Sequence, residues 1–140
     1  MNRRKFIEQT CLACMAATAG VSILGMSACS TTQVLKTTST NGNVVIDKAS
    51  FLPEKEAKLI RVVELEHYIL VLKEGDSFSA IYLQCTHQNN PVNYTGSGIV
   101  CNAHGSQFGL NGEVKTGPAS VPLKKIPISH QNNQLSLTIK

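Results

Sequence analysis

Two cysteines and two histidines in the second half of the chain have the types and spacing of a metal or cluster site. Cys85 and His87 are separated by one residue, Cys101 and His104 by two, and 13 residues lie between His87 and Cys101. Each pair supplies one thiolate and one imidazole. We expect each pair on a tight loop at the end of a strand, where both side chains can turn toward the same centre.

Four such ligands fit two kinds of centre. A mononuclear zinc site would place all four in a tetrahedron around one ion. An iron–sulfur cluster with mixed ligands would take the two cysteines on one iron and the two histidines on the other. The four residues alone leave both alternatives open.

The residues around these donors resemble those of Rieske [2Fe–2S] proteins. Residues 101–108 read CNAHGSQF and resemble the second cluster loop of that family, while Cys85-Thr86-His87 matches the first loop. Gly112 and the later Gly117-Pro118-Ala119 resemble the glycine and the proline-containing loop that cover the cluster. The resemblance implies one [2Fe–2S] cluster per chain, with a cluster-tuning hydroxyl on Ser106 and with Cys85, His87, Cys101 and His104 as ligands.

Three departures from the respiratory members of this family bear on the reduction potential. Asn90 and Ala103 occupy the positions where those proteins have two further cysteines joined in a disulfide. Phe108 stands where they have a tyrosine whose hydroxyl bonds a cysteine sulfur. Each hydrogen bond to sulfur stabilises the reduced cluster and raises the potential. The resemblance therefore implies a disulfide-free centre of intermediate potential.

The rest of the second half predicts an all-β domain. Hydrophobic residues make up 42% of the chain and aromatic residues 5%, so Val, Ile and Leu must supply most of the core. Short β-branched runs alternate with turn signals such as Asn111-Gly112. We predict a Rieske-like antiparallel sandwich or partly open barrel with a cluster-binding loop subdomain, and a closing hairpin of 124–129 with 134–139. The predicted strands are 44–47, 58–65, 68–73, 79–84, 98–101, 121–126 and 134–139.

The N-terminus has the pattern of an export signal. Arg3-Arg4 precede Phe6-Ile7, and residues 10–29 carry no charge. A basic start followed by an apolar run is typical of secretion, and the paired arginines resemble a twin-arginine signal. The run ends at Cys29, in a sequence that resembles a lipoprotein cleavage site; a retained membrane anchor and simple cleavage are the alternatives.

These patterns divide the chain into an export signal or anchor (1–29), a flexible Ser/Thr/Asn-rich linker (30–43) and a Rieske [2Fe–2S] domain (44–140). Removing residues 1–28 leaves ten basic and eight acidic residues, a balance that does not suggest nucleic-acid binding. His67 and His130 are interpreted as surface residues. No nucleophile–base pair or phosphate loop suggests an enzyme.

We therefore expect an exported electron-transfer protein on the periplasmic side of a bacterial membrane, tethered by a lipid at Cys29. Its expected partner is a cytochrome or a quinol-oxidising membrane complex, as a carrier or as a subunit of an oxidoreductase chain. One alternative is a Rieske ferredoxin for an oxygenase, which the export signal opposes. A second alternative, from another class, is a zinc-stabilised binding module with no redox role.

Overall fold

The computed structural model describes residues 32–51 and 57–139, and this part of the chain is all-β, with one short 3-10 turn at Lys48–Ser50. The predicted signal and Cys29 lie outside the described residues. Within residues 32–51 and 57–139, we find no helix with the length and apolar character needed to span a bilayer. The strands are β1 (Val34–Thr37), β2 (Asn43–Asp47), β3 (Ala57–Val62), β4 (Ile69–Glu74), β5 (Ser77–Tyr82), β6 (Asn93–Tyr94), β7 (Ile99–Val100), β8 (Gln107–Phe108), β9 (Val114–Thr116), β10 (Ile128–Gln131) and β11 (Gln134–Thr138).

The strands form three open sheets, in the orders β1-β3-β4-β5, β10-β11-β2 and β6-β7-β8-β9. All pairs are antiparallel except β1 with β3, which is parallel. We call the first two sheets the base, because they pack face to face around one core of mostly aliphatic residues. Residues 83–124, which contain the third sheet, are called the site region. The predicted all-β fold is confirmed, and the sheets do not close into a barrel.

Strand β4 is buried on both faces and therefore joins the base to the site region. Ile69 and Val71 face the core between the two base sheets, while Leu70 and Leu72 face a second core that includes both Cys85 and Cys101. Because side chains alternate along a strand, four apolar residues in a row fill both cores at once. The sheet β1-β3-β4-β5 thus lies between the two cores, and the site region packs on the face that carries Leu70 and Leu72. We call the strands β4 and β5 of this sheet the wall.

The site region leaves and rejoins the base at neighbouring points. The Tyr82 N–H donates to the Lys124 carbonyl at 2.8 Å, and the Ile126 N–H donates to the Ala80 carbonyl at 2.8 Å. Ile81 also forms an isolated bridge with Lys125. The ends of the segment that carries both Cys–His pairs are therefore fixed to the same strand, β5.

The structure corrects three sequence predictions. Residues 34–37 lie in the predicted flexible linker but form β1, whose Val34–Thr37 pair in register with residues 59–62 of β3. Residues 121–126 are not a strand. Pro122 and Pro127 flank the buried Leu123 and Ile126, and proline has no N–H to continue a ladder. The closing hairpin exists, but its first strand begins at Ile128.

Candidate metal centre

Cys85 and Cys101 lie at the starts of two loops and are completely buried. Cys85 follows β5, and its N–H donates to the Asn90 carbonyl at 2.7 Å, which closes the first loop. Cys101 follows β7; its N–H donates to the Ser106 carbonyl at 2.8 Å, and its own carbonyl accepts the Gly105 N–H at 2.9 Å. Gly105 has φ of +79°, a turn conformation that a residue with a Cβ rarely adopts. The expected tight loops at strand ends are therefore present.

The two cysteine sulfurs adjoin each other in an environment that favours a thiolate. Both cysteines are free thiols. Burial alone would raise the pKa of the Cys85 thiol, but hydrogen bonds from the His87 N–H, the Cys101 thiol, the Gln88 N–H and the Ser106 hydroxyl lower that pKa below its ordinary value. A thiolate is the form that binds a metal, so this environment is compatible with the predicted ligand role of Cys85.

The two histidines form a second pair, on the exposed side of the same loops. The rings of His87 and His104 are 4.8 Å apart between centroids and nearly perpendicular, at 79°. Both side chains are exposed, in contrast to the buried sulfurs. In the part of the chain that the structure describes, no three His, Cys, Asp or Glu side chains converge closely enough to hold one ion. The donors are instead arranged as a thiol pair and an imidazole pair.

A third loop, residues 117–122, is hydrogen-bonded to both ligand loops. The Thr86 hydroxyl, between Cys85 and His87, donates to the Val121 carbonyl at 2.6 Å. The Ala119 N–H donates to the Ser106 Oγ at 3.0 Å, and both residues are buried. The sequence pattern indicated Gly117-Pro118-Ala119 but not the contact between Thr86 and Val121. A hydrogen bond from a hydroxyl to a carbonyl of a distant loop cannot be inferred from the spacing of residues.

Ser106 is positioned to direct its hydroxyl hydrogen toward sulfur. Its side chain is fully buried, and its oxygen already accepts the Ala119 N–H. The hydroxyl is also among the donors to the Cys85 thiol. With one lone pair occupied, the O–H remains available as a donor. This arrangement is compatible with the predicted cluster-tuning role.

The other residues singled out in the sequence occupy three different environments. Phe108 is buried in the core that surrounds the cysteines. His130 is exposed on β10, as predicted. His67 is not a surface residue: only 6% of it is exposed, in the turn between β3 and β4. Its backbone N–H donates to the Tyr82 hydroxyl, and the Tyr82 ring covers its own ring at 5.8 Å.

Comparison with known proteins identifies the family. Residues 42–127 match the model of the Rieske [2Fe-2S] domain. A curated relative, the cytochrome b6-f complex iron-sulfur subunit of Chlorobaculum thiosulfatiphilum, is 30% identical over 84 residues, which are 59% of this chain and 45% of that protein. This chain spans about half the length of the curated relatives it matches.

Two solved structures show the shared fold. The plasma membrane Rieske protein PetC3 from Synechocystis PCC 6803 aligns with a TM-score of 0.55 and 23% identity, over 68% of this chain and 98% of that one. A chain from the complex of oxygenase and ferredoxin in carbazole 1,9a-dioxygenase aligns with a TM-score of 0.52 and 21% identity, over 71% of this chain and 94% of that one.

The family match answers the choice between zinc and iron–sulfur that the four donors leave open. The cofactor is a [2Fe–2S] cluster. The donor set fits it, because such a centre takes two thiolates on one iron and two imidazoles on the other. The observed division into a buried thiol pair and an exposed imidazole pair has the same two-and-two composition.

Proposed function

This chain belongs to the Rieske [2Fe–2S] domain family, and we propose that Cys85 and Cys101 bind one iron of its cluster while His87 and His104 bind the other. The separate pairing of thiols and imidazoles is the observation that carries this assignment. Ser106 is proposed to tune the cluster through its hydroxyl hydrogen, which the Ala119 contact leaves free to donate.

The proposed function is one-electron transfer, as a carrier or as a subunit of an oxidoreductase chain. When bound, the cluster supplies reversible one-electron chemistry at a potential of about −150 to +300 mV. The protein contributes a dry environment for the sulfurs and hydrogen bonds to Cys85. It also presents both imidazoles to solvent. A partner that docks at His87 and His104 would therefore touch two of the proposed cluster ligands directly.

The proposed partner is a cytochrome or a quinol-oxidising membrane complex. Support comes from the curated relatives, which are iron–sulfur subunits of the cytochrome b6-f complex. We further propose that the protein acts on the periplasmic side of a bacterial membrane, tethered through a lipid at Cys29 or an N-terminal anchor. That part of the proposal is supported by the sequence pattern of residues 3–29.

The ligand assignment is tested by expressing the chain and measuring iron, acid-labile sulfide and the EPR spectrum after reduction. We expect equal amounts of iron and sulfide and a rhombic EPR signal. Cys85→Ser and His104→Ala should abolish that signal, whereas His130→Ala, at an exposed histidine of the base, should leave it unchanged. A colourless protein containing one zinc per chain would contradict the proposal.

A further inference from the structure

The ordered base begins much nearer to Cys29 than the sequence pattern indicated. The Gln33 carbonyl already accepts the Leu59 N–H at 3.1 Å, and β1 follows directly. Only residues 30–32, which we call the tether, separate Cys29 from the first residue bonded into the base. From Cys29 to Gln33 the backbone can reach at most about 14 Å, whereas a linker over residues 30–43 would reach about 50 Å.

The reach of the tether is short compared with a domain. A folded domain of about 100 residues has a radius of gyration of about 13 Å. Under the proposed function, Cys29 either carries a lipid or ends a membrane anchor, so it lies at the level of the lipid headgroups. A tether about as long as the radius of the domain keeps the side that carries β1 toward the bilayer.

The residues on that side form a patch at the margin of a sheet. We call it the β1 patch and define it by Val34, Lys36, Arg61 and Tyr68. Val34 pairs with Leu59, which packs against the core of the site region, and Lys36 pairs with Arg61. Because side chains alternate along a strand, Val34, Lys36 and Arg61 lie on the face that the site region packs against. The Arg61 guanidinium lies 5.5 Å from the centre of the Tyr68 ring.

The composition of the β1 patch suits the headgroup region of a membrane. Val34 is 49% exposed and Tyr68 is 41% exposed. Tyrosine favours the membrane interface, because its ring is apolar and its hydroxyl is polar. Lys36 and Arg61 can lay their aliphatic stems on this surface with their charges among lipid phosphates. Arg61 is also held in place, since its Nη1 donates to two carbonyls of the β3–β4 turn at 2.6 and 2.8 Å.

Two carboxylates of the described chain lie at the other end of β1. Glu64 accepts the Ser39 N–H at 3.1 Å, beyond the last residue of the strand, Thr37. Glu66 lies 3.9 Å from the Nε2 of His67 in the same β3–β4 turn. The tether enters at the opposite, N-terminal end of β1, so neither carboxylate lies between the tether and the β1 patch.

We propose that the β1 patch rests on the lipid headgroups of the membrane that anchors Cys29, and that this contact and the short tether together hold the domain in one orientation. The inference rests on the membrane anchor of the proposed function. The cluster then stays at one height above the bilayer, and a redox partner must reach it there. The domain does not travel on a long linker between distant partners.

The first test measures which side of the domain faces the lipid. The chain contains no tryptophan, so one introduced tryptophan reports the position of one side chain. The full cluster-loaded chain is reconstituted in vesicles of phosphatidylcholine and phosphatidylglycerol, with or without lipids brominated at the headgroup end of their acyl chains. We expect bromine to quench about half of the fluorescence of Tyr68→Trp.

The matched control for this reporter is Ser129→Trp. Ser129 is exposed on β10, and β10 lies beside β5, since Ile128 and Ala80 line the same cleft. β5 is the edge strand opposite β1 in its sheet, so Ser129→Trp should lose less than about a tenth of its fluorescence to bromine. Equal quenching of the two reporters would overturn the inference. An unquenched Tyr68→Trp, as expected if another protein or a second copy covers the β1 patch, would overturn it too.

A charge reversal tests the chemistry of the β1 patch. Adding Lys36→Glu to Tyr68→Trp should reduce the bromine quenching about twofold in vesicles that contain the anionic lipid. Lys115→Glu changes an exposed lysine of the site region, and it should leave the quenching unchanged. Equal effects of the two substitutions would contradict a contact through Lys36.

The orientation of the domain is measured independently by EPR of the reduced cluster in stacked, oriented membranes. A domain held in one orientation gives signal amplitudes that change with the angle between the membrane plane and the magnetic field. An insertion of about ten Gly and Ser residues after Ser30 lengthens the tether by roughly 17 Å on average, and the amplitudes should then change less with angle. A spectrum of the unmodified protein that does not depend on angle would overturn the inference. An unchanged angular dependence after the insertion would contradict the role of the tether.

The failure of this inference can be distinguished from the failure of the proposed function. Recovery of the protein in the soluble fraction, with a mature N-terminus that lacks a lipid and an anchor, would contradict the proposed anchor and the inference with it. Absence of the cluster EPR signal would contradict the ligand assignment, while the tryptophan reporters would still test the β1 patch. A membrane-bound, cluster-loaded protein with equally quenched reporters would contradict the inference alone.

Discussion

The base and the site region reach a folded state by different means. In the base, strands of four to six residues pair in regular ladders around a core of mostly aliphatic side chains. In the site region the strands have two or three residues, and the core includes two cysteines and the fully buried Ser106. The base is therefore stabilised by its own side chains, whereas the site region depends on loop hydrogen bonds and, we infer, on its cofactor.

The largest expected effect comes from removing the proposed cluster, which should destabilise the site region and leave the base folded. Cys85→Ser should abolish the EPR signal. It should also reduce the hydrogen-exchange protection of the Cys101, Gly105 and Ala119 amides, because the proposed cluster no longer joins their loops. Strand β11 in the base should keep its protection. Exchange measured by mass spectrometry checks this, and simultaneous loss of protection in both regions would show that they are one cooperative unit.

A matched pair of core truncations compares the two cores. Leu70 faces the core around the cysteines and Leu137 faces the base core, and both are fully buried. Each Leu→Ala change should lower the free energy of unfolding by about 2–5 kcal/mol, measured by urea denaturation. Leu70→Ala should also broaden the EPR spectrum of the cluster. An equal spectral change in Leu137→Ala would mean that the wall of β4 does not isolate the two cores.

Ser106→Ala should lower the reduction potential. It removes one hydrogen bond to sulfur, worth about 1 kcal/mol, which corresponds to about 40 mV for a one-electron couple. The measurement is a redox titration followed by EPR. Ser120→Ala is the control, since that serine is exposed in the third loop. An unchanged potential in Ser106→Ala would remove the tuning role from its hydroxyl.

Thr86→Val should weaken the attachment of the first ligand loop to the third loop. Loss of the bond to the Val121 carbonyl costs about 1 kcal/mol, so iron should be lost to a chelator about fivefold faster. Thr86→Ser keeps the hydroxyl and should restore the slower rate. Thr95→Val removes a hydroxyl that bonds the Gly98 carbonyl within a hairpin of the site region, and it should leave iron release unchanged.

The smallest expected effect belongs to the base. Burial lowers the pKa of Lys58 below its ordinary value of 10.5, so between the lowered pKa and 10.5 the unfolded chain binds a proton that the folded chain has released. The free energy of unfolding should therefore rise slightly with pH in that window. Lys58→Met should remove this rise in urea titrations at alkaline pH. A slope that persists in the variant would assign it to another group.

The contrast between the base and the site region also explains which strands the sequence could predict. The strands of the base have enough alternating or continuous apolar residues to be recognised, and β2, β3, β4, β5 and β11 were all predicted within a few residues. Strand β7 lies inside the predicted strand 98–101, but β6, β8 and β9 were missed, since two or three residues seldom establish a period. β1 was missed because its residues lie in a Ser/Thr-rich segment, and its pairing with β3 depends on tertiary contact.

At the site, the sequence indicated four candidate donors but not their mutual arrangement. The spacing of Cys85, His87, Cys101 and His104 indicated a centre, and the resemblance indicated its kind. The division into buried sulfurs and exposed rings comes from the position of each residue relative to the wall of β4 and β5. His67 was misassigned because a polar residue in a turn gives no sign that Tyr82 will cover it.

Because the site region begins and ends at β5, it can be treated as an exchangeable segment. Backbone hydrogen bonds join Tyr82 to Lys124 and Ile126 to Ala80. The site region therefore begins and ends at adjacent points of one strand. Insertions with close ends disturb a host sheet little, and their closure cost grows only slowly with length. Protein engineers could therefore lengthen, replace or transplant this segment as a cassette, provided that the recipient sheet offers an apolar face like that of Leu70 and Leu72.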